Sequence, residues 1–272
     1  MKNFTILSFA AAGFFFFSGC KEKPITIPEL SVGGRNVLVE ELTGVKCQNC
    51  PDGAALLNNL NNQFGGNLIV VSIHAAGFYS VPYSENKYDF RTPQGTELAN
   101  FIGAAQGFPA ASINRRLVPP ETELYLSPSI WTGQIAEELK EEPTIGVFVE
   151  TDFDPVSRKL DVAVNLAAES VLSGEHRLTV LITQDSIQDL QLVGTTKVYD
   201  YYHRHVLRTT LTQPTGNVIA ETLSPSAVVQ KQFSFVLPPD WEEKHCSVVA
   251  FVHHGIDPNK EVLQAAEEHV MK

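Results

Sequence analysis

Residues 44–53 read GVKCQNCPDG, and this Cys-x-x-Cys pair with Pro51 behind it decides how the first half of the chain is read. Before it, NVLVEELTG (36–44) has the apolar density of a strand. After it, PDGAALLNNLNNQF (51–64) sets Ala54, Leu57, Leu60 and Phe64 at helical spacing until Gly65-Gly66 stop it. Proline is tolerated only in the first turn of a helix, so Pro51 marks the helix start and places the cysteines between strand end and helix. A thiol there faces unpaired N–H groups and the positive end of the helix dipole, which lowers its pKa from ~8.5 into the range ~3.5–7.5. Lys46 adds a positive charge next door. Three chemistries fit such a pair: a redox dithiol, half of a zinc site, or an inert disulfide. As a dithiol, Cys47 would attack a substrate disulfide and Cys50 would resolve the mixed disulfide.

Further along, NLIVVSIHA (67–75) is the near-continuous apolar run of a central parallel strand. A helix is expected near 95–105, then a strand from GFPAASINRR, then a helix in SPSIWTGQIAEELKEE that Pro143 ends. This alternation implies an α/β sheet with right-handed crossovers over 36–142. Beyond Pro143 the texture turns to β. Seven candidate strands (TIGVFVETDF, KLDVAVNLAAES, HRLTVLITQ, HRHVLRTTL, VVQKQFSFVL, HCSVVAFVHH and EVLQAAEEHV) predict an antiparallel β-sandwich, Ig-like, over 143–272. The turns between them include Asp154-Pro155 and Asp257-Pro258-Asn259.

The chain has 272 residues, 43% of them hydrophobic, and a formal net charge of −11. It can build real cores, and its acidity repels phosphate backbones and anionic lipid alike, which argues against nucleic acid as a partner. Membrane attachment then needs another cause. MKNFTILSFAAAGFFFFSGC supplies one, with Lys2, an apolar run from Phe4 to Phe17, then small residues and Cys20. The run is shorter than the roughly 20 residues a spanning helix needs, so 1–19 read as a signal peptide. Phe17-Ser18-Gly19-Cys20 resembles a bacterial lipobox, which implies lipidation of Cys20, a tether over 20–35 and a mature net charge of −12 once Lys2 is gone. Three cysteines then remain in an oxidising compartment, and Cys246, in an apolar strand pattern, reads as a buried thiol.

The strand, the Cys-x-x-Cys at a helix start and a later Gly107-Phe108-Pro109 opening a strand resemble the thioredoxin superfamily. The resemblance implies that Pro109 is cis and packs beside the dithiol as a substrate-positioning turn. It also implies that Glu41, six residues before Cys47, is the family's buried acid and accepts the Cys50 proton; the alternative is a solvated Glu41 beside Glu40. Lys46 stands where thioredoxin has tryptophan, and Gln48-Asn49 replace Gly-Pro. Lipobox, thioredoxin-like half and a sandwich with DYYHRHVLR together resemble a Gram-negative outer-membrane lipoprotein family, typified by a twenty-eight-kilodalton outer-membrane protein. That implies a cell-envelope location and no settled activity.

Zinc would need two further ligands beyond Cys47 and Cys50. His203 and His205 alternate by two, so they share a strand face and could chelate, but ordinary strand histidines are the preferred reading; nothing else in the sequence calls for a metal or cofactor. His74, at the end of its strand, could tune Cys47 or be a satisfied strand-end histidine. The aromatic loop 78–92 is either a substrate or partner surface or a self-packed loop. Two functions therefore stand. One is a lipid-anchored thiol–disulfide oxidoreductase acting on exported proteins' thiols and disulfides. The other is an interaction or adhesin-like lipoprotein that binds a cell-surface partner and uses Cys47–Cys50 as a structural bond.

Overall fold

In the computed structural model of the protein, the described residues are 34–225, 228–255 and 259–271. Cys20, the signal peptide, nearly all of the tether, and Asp257-Pro258 lie outside them. The first half runs β1 (Val37–Leu42), α1 (Cys50–Gln63), β2 (Leu68–Ile73), α2 (Pro93–Ile102), β3 (Ala110–Ile113), β4 (Tyr125–Leu126) and α3 (Pro128–Glu138). All three helices carry proline in their first turn, and Thr92 caps α2 by accepting the Gly95 N–H at 2.9 Å. β1 and β2 pair in parallel, from Val37↔Leu68 to Leu42↔Ile73. The expected parallel order stops there. β3 enters at the end where β1 stops, pairing Ala110 with Leu42, so it runs antiparallel to β1, and β4 runs antiparallel to β3.

Apart from one 3-10 turn at Glu243–His245, the regular elements described in the second half are strands: β5 (Ile145–Asp154), β6 (Lys159–Ala168), β7 (Leu172–Gln184), β8 (Ile187–Val193), β9 (Thr196–His203), β10 (Val206–Thr210), β11 (Asn217–Leu223), β12 (Val228–Val236), β13 (Cys246–His254) and β14 (Val262–His269). Pro143 marks the end of the helices but not of the sheet. One nine-stranded sheet has the order β14-β13-β7-β10-β2-β1-β3-β4, with β11 also on β7, and the bridge Val206↔Ser72 joins the halves. A separate three-stranded sheet, β12-β6-β5, packs face to face against part of it.

Period-two alternation explains how one sheet serves two cores. On β7 and β13, Leu178, Val180, Ile182, Val248, Ala250 and Val252 face Ile145, Val164 and Leu166 of the small sheet. Their alternates Leu181, Val249 and Phe251 face the other way and join Leu38, Ile69 and Val71 with Leu98 and Ile102 of α2. Residues from both sides of Pro143 therefore share a core. Buried polar links reinforce it. Arg115 forms a bidentate pair with Glu40, both bonds 2.7 Å, and lies 4.9 Å from the Phe251 ring centre, while Arg35 donates to Glu138 and to the Val262 carbonyl.

Candidate functional site

Cys47 and Cys50 form a disulfide. The loop between β1 and α1 is tight: the Cys47 N–H donates to the Gly44 carbonyl at 2.9 Å and the Cys50 N–H to the Cys47 carbonyl at 3.3 Å. Gly44 is required there, because a Cβ would collide with the backbone of Tyr79. Cys50 opens α1, with Pro51 behind it, whereas Cys47 sits in the turn before the helix.

A hairpin that the sequence reading did not anticipate lies over this loop. β8 and β9, linked by Gly194-Thr195, run from Ile187 to His203. Leu192 N–H donates to the Val45 carbonyl and Gly194 N–H to the Gln48 carbonyl, both at 2.9 Å. The Gln191 amide donates to the carbonyls of Gly44 at 3.2 Å and Cys47 at 3.1 Å. Asp189 accepts the N–H groups of Lys87 and Tyr88 at 3.0 Å, which fastens the aromatic loop to the same hairpin. Both cysteines end up 2% exposed. The signal for the hairpin was present in the Val193-Gly194-Thr195-Thr196 turn, where Gly194 takes φ +56°, flanked by alternating KVYDYYH.

Glu41 is buried, 1% exposed, as is its neighbour Glu40, so the solvated alternative falls. β1 lies between β2 and β3, and no face of it meets water. The Ser72 hydroxyl donates to Glu41 Oε2 at 3.1 Å, while Oε1 has no partner among the described residues. Burial raises its pKa to about 8 against the opposing Ser72 bond. Glu41, Cys50, His74, Gln191, Tyr201 and His203 line one small cavity of ≈ 20 Å³. The Phe108–Pro109 bond is cis, and the Pro109 ring abuts Gly53 of α1, where a Cβ would be 2.9 Å from it.

His74 packs tilted against Phe90, with ring centres 5.1 Å apart, and burial holds its pKa down at about 3. Burial likewise lowers His203 to about 4. His203 and His205 do not share a strand face: β9 ends at His203, and His205 takes φ +52° before β10 begins. Among the described residues no three His, Cys, Asp or Glu side chains gather as a metal site. Because the unfolded chain protonates these histidines near pH 6.5 and the folded chain resists, both contribute stability that is present above 6.5 and lost as pH falls towards 4. Replacing His74 by Gln is expected to flatten that acid limb, read from denaturation midpoints at pH 4, 5, 6 and 7.

The aromatic loop divides in two. Phe90 is buried with Val45, Ile187 and Val206, whereas Phe78 is 74% exposed and Tyr79 44%. Tyr79 lies 5.2 Å from Phe108, and Lys46 sits 5.7 Å over Phe78. Beside this patch, a groove of ≈ 570 Å³ runs past Asn49, Asp52, Gly107, Phe108, Pro109 and Glu121. Cys246 is a buried free thiol, its pKa pushed up to about 12 by desolvation.

The sequence profile of the outer membrane protein Omp28 family matches residues 97–271, more than half of the chain. The chain belongs to that family. This makes it an outer-membrane protein of the bacterial cell envelope. Among the described residues no helix is long and apolar enough to cross a membrane. The part matched to Omp28 begins beyond Cys50 and takes in Pro109 and the β8–β9 hairpin, so family membership itself says nothing about the disulfide. No curated protein matches the sequence. Among solved structures, the chain is similar to HBP35 of Porphyromonas gingivalis, with a TM-score of 0.71 and 17% identity over 88% of this chain and 76% of that one. A protein of Agrobacterium tumefaciens aligns at a TM-score of 0.54 and 11% identity, over 88% of this chain and 96% of that one. At these identities the likeness is one of fold. A domain of the outer membrane lipoprotein Omp28 from Porphyromonas gingivalis overlaps more loosely, at a TM-score of 0.34 and 15% identity over 47% and 88% of the two chains.

Proposed function

We propose that this chain is a lipid-anchored interaction protein of the outer membrane in which Cys47–Cys50 is a structural bond. One observation carries the reading: the disulfide is sealed, 2% exposed at each cysteine, beneath a hairpin bonded to the very loop it closes. A dithiol that exchanges with substrates needs an accessible sulfur. The exposed surface next to it is instead aromatic, with Phe78, Tyr79 and Phe108 beside Lys46, the composition of a protein-binding patch. We assign the anchor to Cys20, after removal of 1–19, with 20–35 as tether. A thioredoxin-like reading of 36–142 is supported by the strand–disulfide–helix order, the parallel β1–β2 pair and the cis Pro109; a sandwich reading of 143–272 is supported by β12-β6-β5 packed on β7 and β13.

A second reading is favoured by one feature, the proton-holding Glu41 in the same cavity as Cys50. In it the protein is a thiol–disulfide oxidoreductase of exported proteins, with Cys47 as nucleophile, Cys50 as resolver, Glu41 as proton acceptor and Pro109 positioning substrate. Trapping separates the two. With Cys50→Ser in cells, the structural reading expects no mixed disulfides through Cys47, and abundant adducts would overturn it. The structural reading also expects the double replacement Cys47→Ser/Cys50→Ser to lower stability by about 2 kcal/mol, the loop-closure value for so short a ring, measured by urea denaturation.

A further inference from the structure

On its side away from β1, β2 is bridged by β10 at one position only, Ser72. Val37 and Thr43 donate to the carbonyls of Asn67 and Ile73, at 2.9 and 3.1 Å, so the odd-numbered residues along β2 face β1. The even-numbered residues therefore point their N–H and C=O groups the other way. On that side the Leu68 N–H is taken by the Asn61 side chain at 3.3 Å and the Ser72 N–H by the His205 carbonyl at 2.8 Å. Between them, Val70 has no strand beside it among the described residues, since β10 bridges β2 only at Ser72.

A cavity of ≈ 460 Å³ opens on this edge. Ala54 and Leu57 of α1 form one wall, Val198 and Tyr201 of β9 the other, and Val70 lies at the β2 side. This cavity thus lies against a free backbone donor and a free backbone acceptor, and its volume is in the range of ligand sites. A donor and acceptor on a single strand residue is the recognition unit of strand addition. A helical partner has no spare backbone groups to meet it.

We propose that the groove between α1 and β9 accepts an extended, non-acidic peptide segment of a partner protein, which pairs its backbone with Val70 and so adds a strand to β2. Ala54 and Ala55 leave room for β-branched side chains on the segment. Asp200 on the rim and the chain's net charge of −11 disfavour an acidic segment. This names the partner chemistry of the interaction-protein reading and rests on it. It makes no use of the disulfide, so the trapping experiment and the one below fail independently.

The probe is acetyl-Thr-Val-Thr-Val-amide, titrated into the nitrogen-15-labelled mature protein with its disulfide intact. The Val70 amide resonance is expected to shift, and its solvent exchange to slow roughly tenfold at saturation. The same peptide with its two central amides N-methylated is expected to bind at least about tenfold more weakly. Ala54→Phe, which fills the groove from the half-buried face of α1, is expected to abolish the shift while the rest of the spectrum stays folded. A folded protein whose Val70 resonance does not move at millimolar peptide overturns the proposal. So does undiminished binding of the N-methylated peptide, or a peptide-free spectrum in which Val70 already contacts a residue before 34 or a second copy of the chain.

Discussion

Arg115→Met is expected to lower the unfolding free energy by about 3–5 kcal/mol, the cost of leaving a buried charge without its partner. Arg115 and Glu40 are both fully enclosed, joined by two bonds of 2.7 Å, and the guanidinium also covers the rings of Phe101 and Phe251. Removing only the arginine strands the Glu40 carboxylate where no water reaches it. Replacing both, as Glu40→Leu/Arg115→Met, is expected to recover most of the loss, because an apolar pair avoids desolvation altogether. Arg115 belongs to the first half of the sequence and Phe251 to the second, so thermal unfolding should remain a single transition that simply moves to lower temperature. Two separate transitions in calorimetry would contradict the shared core.

Glu41→Gln is expected to stabilise the protein, by about 3 kcal/mol at pH 7. The folded chain keeps its Glu41 proton up to about pH 8, while a free glutamate loses it at 4.5. Between those values the folded state binds more protons than the unfolded one, so its stability falls as pH rises through the window and levels off above it. Glutamine, neutral at every pH, removes that slope. The gain should vanish below about pH 4.5, which makes paired denaturation curves at pH 4 and pH 7 the decisive comparison. Equal stability of the two proteins at pH 7 would mean that Glu41 reaches water.

The local structure was legible because it is written in neighbouring residues. Pro51 and the spacing of Leu57 and Leu60 mark α1, the apolar run after Asn67 marks β2, and Gly107-Phe108-Pro109 marks the turn into β3. What was not legible is long-range. That β10 sits beside β2 depends on a bridge between Val206 and Ser72, which no local pattern encodes. The doubly buried β7 and β13 looked like sandwich strands with one core, because a continuous apolar run does not say what covers its second face. The hairpin escaped for a different reason. Gln191 and Asp189 are polar residues whose partners lie about a hundred or more positions away in sequence, so no local pattern shows what their strand covers. Nothing local to Cys47 shows that β8 and β9 cover it, so the sequence alone leaves a redox dithiol and a structural bond both open.

The most direct test of the sealed disulfide is its rate of reduction in the folded protein as dithiothreitol is raised from 1 to about 50 mM, followed by trapping of free thiols. If Cys47–Cys50 is structural and shut beneath β8 and β9, the rate should plateau at the rate at which the hairpin opens, and Gln191→Ala, which removes the bonds to Gly44 and Cys47, should raise that plateau. A rate that climbs in proportion to reductant throughout, unchanged by Gln191→Ala, would show an open sulfur and contradict the account.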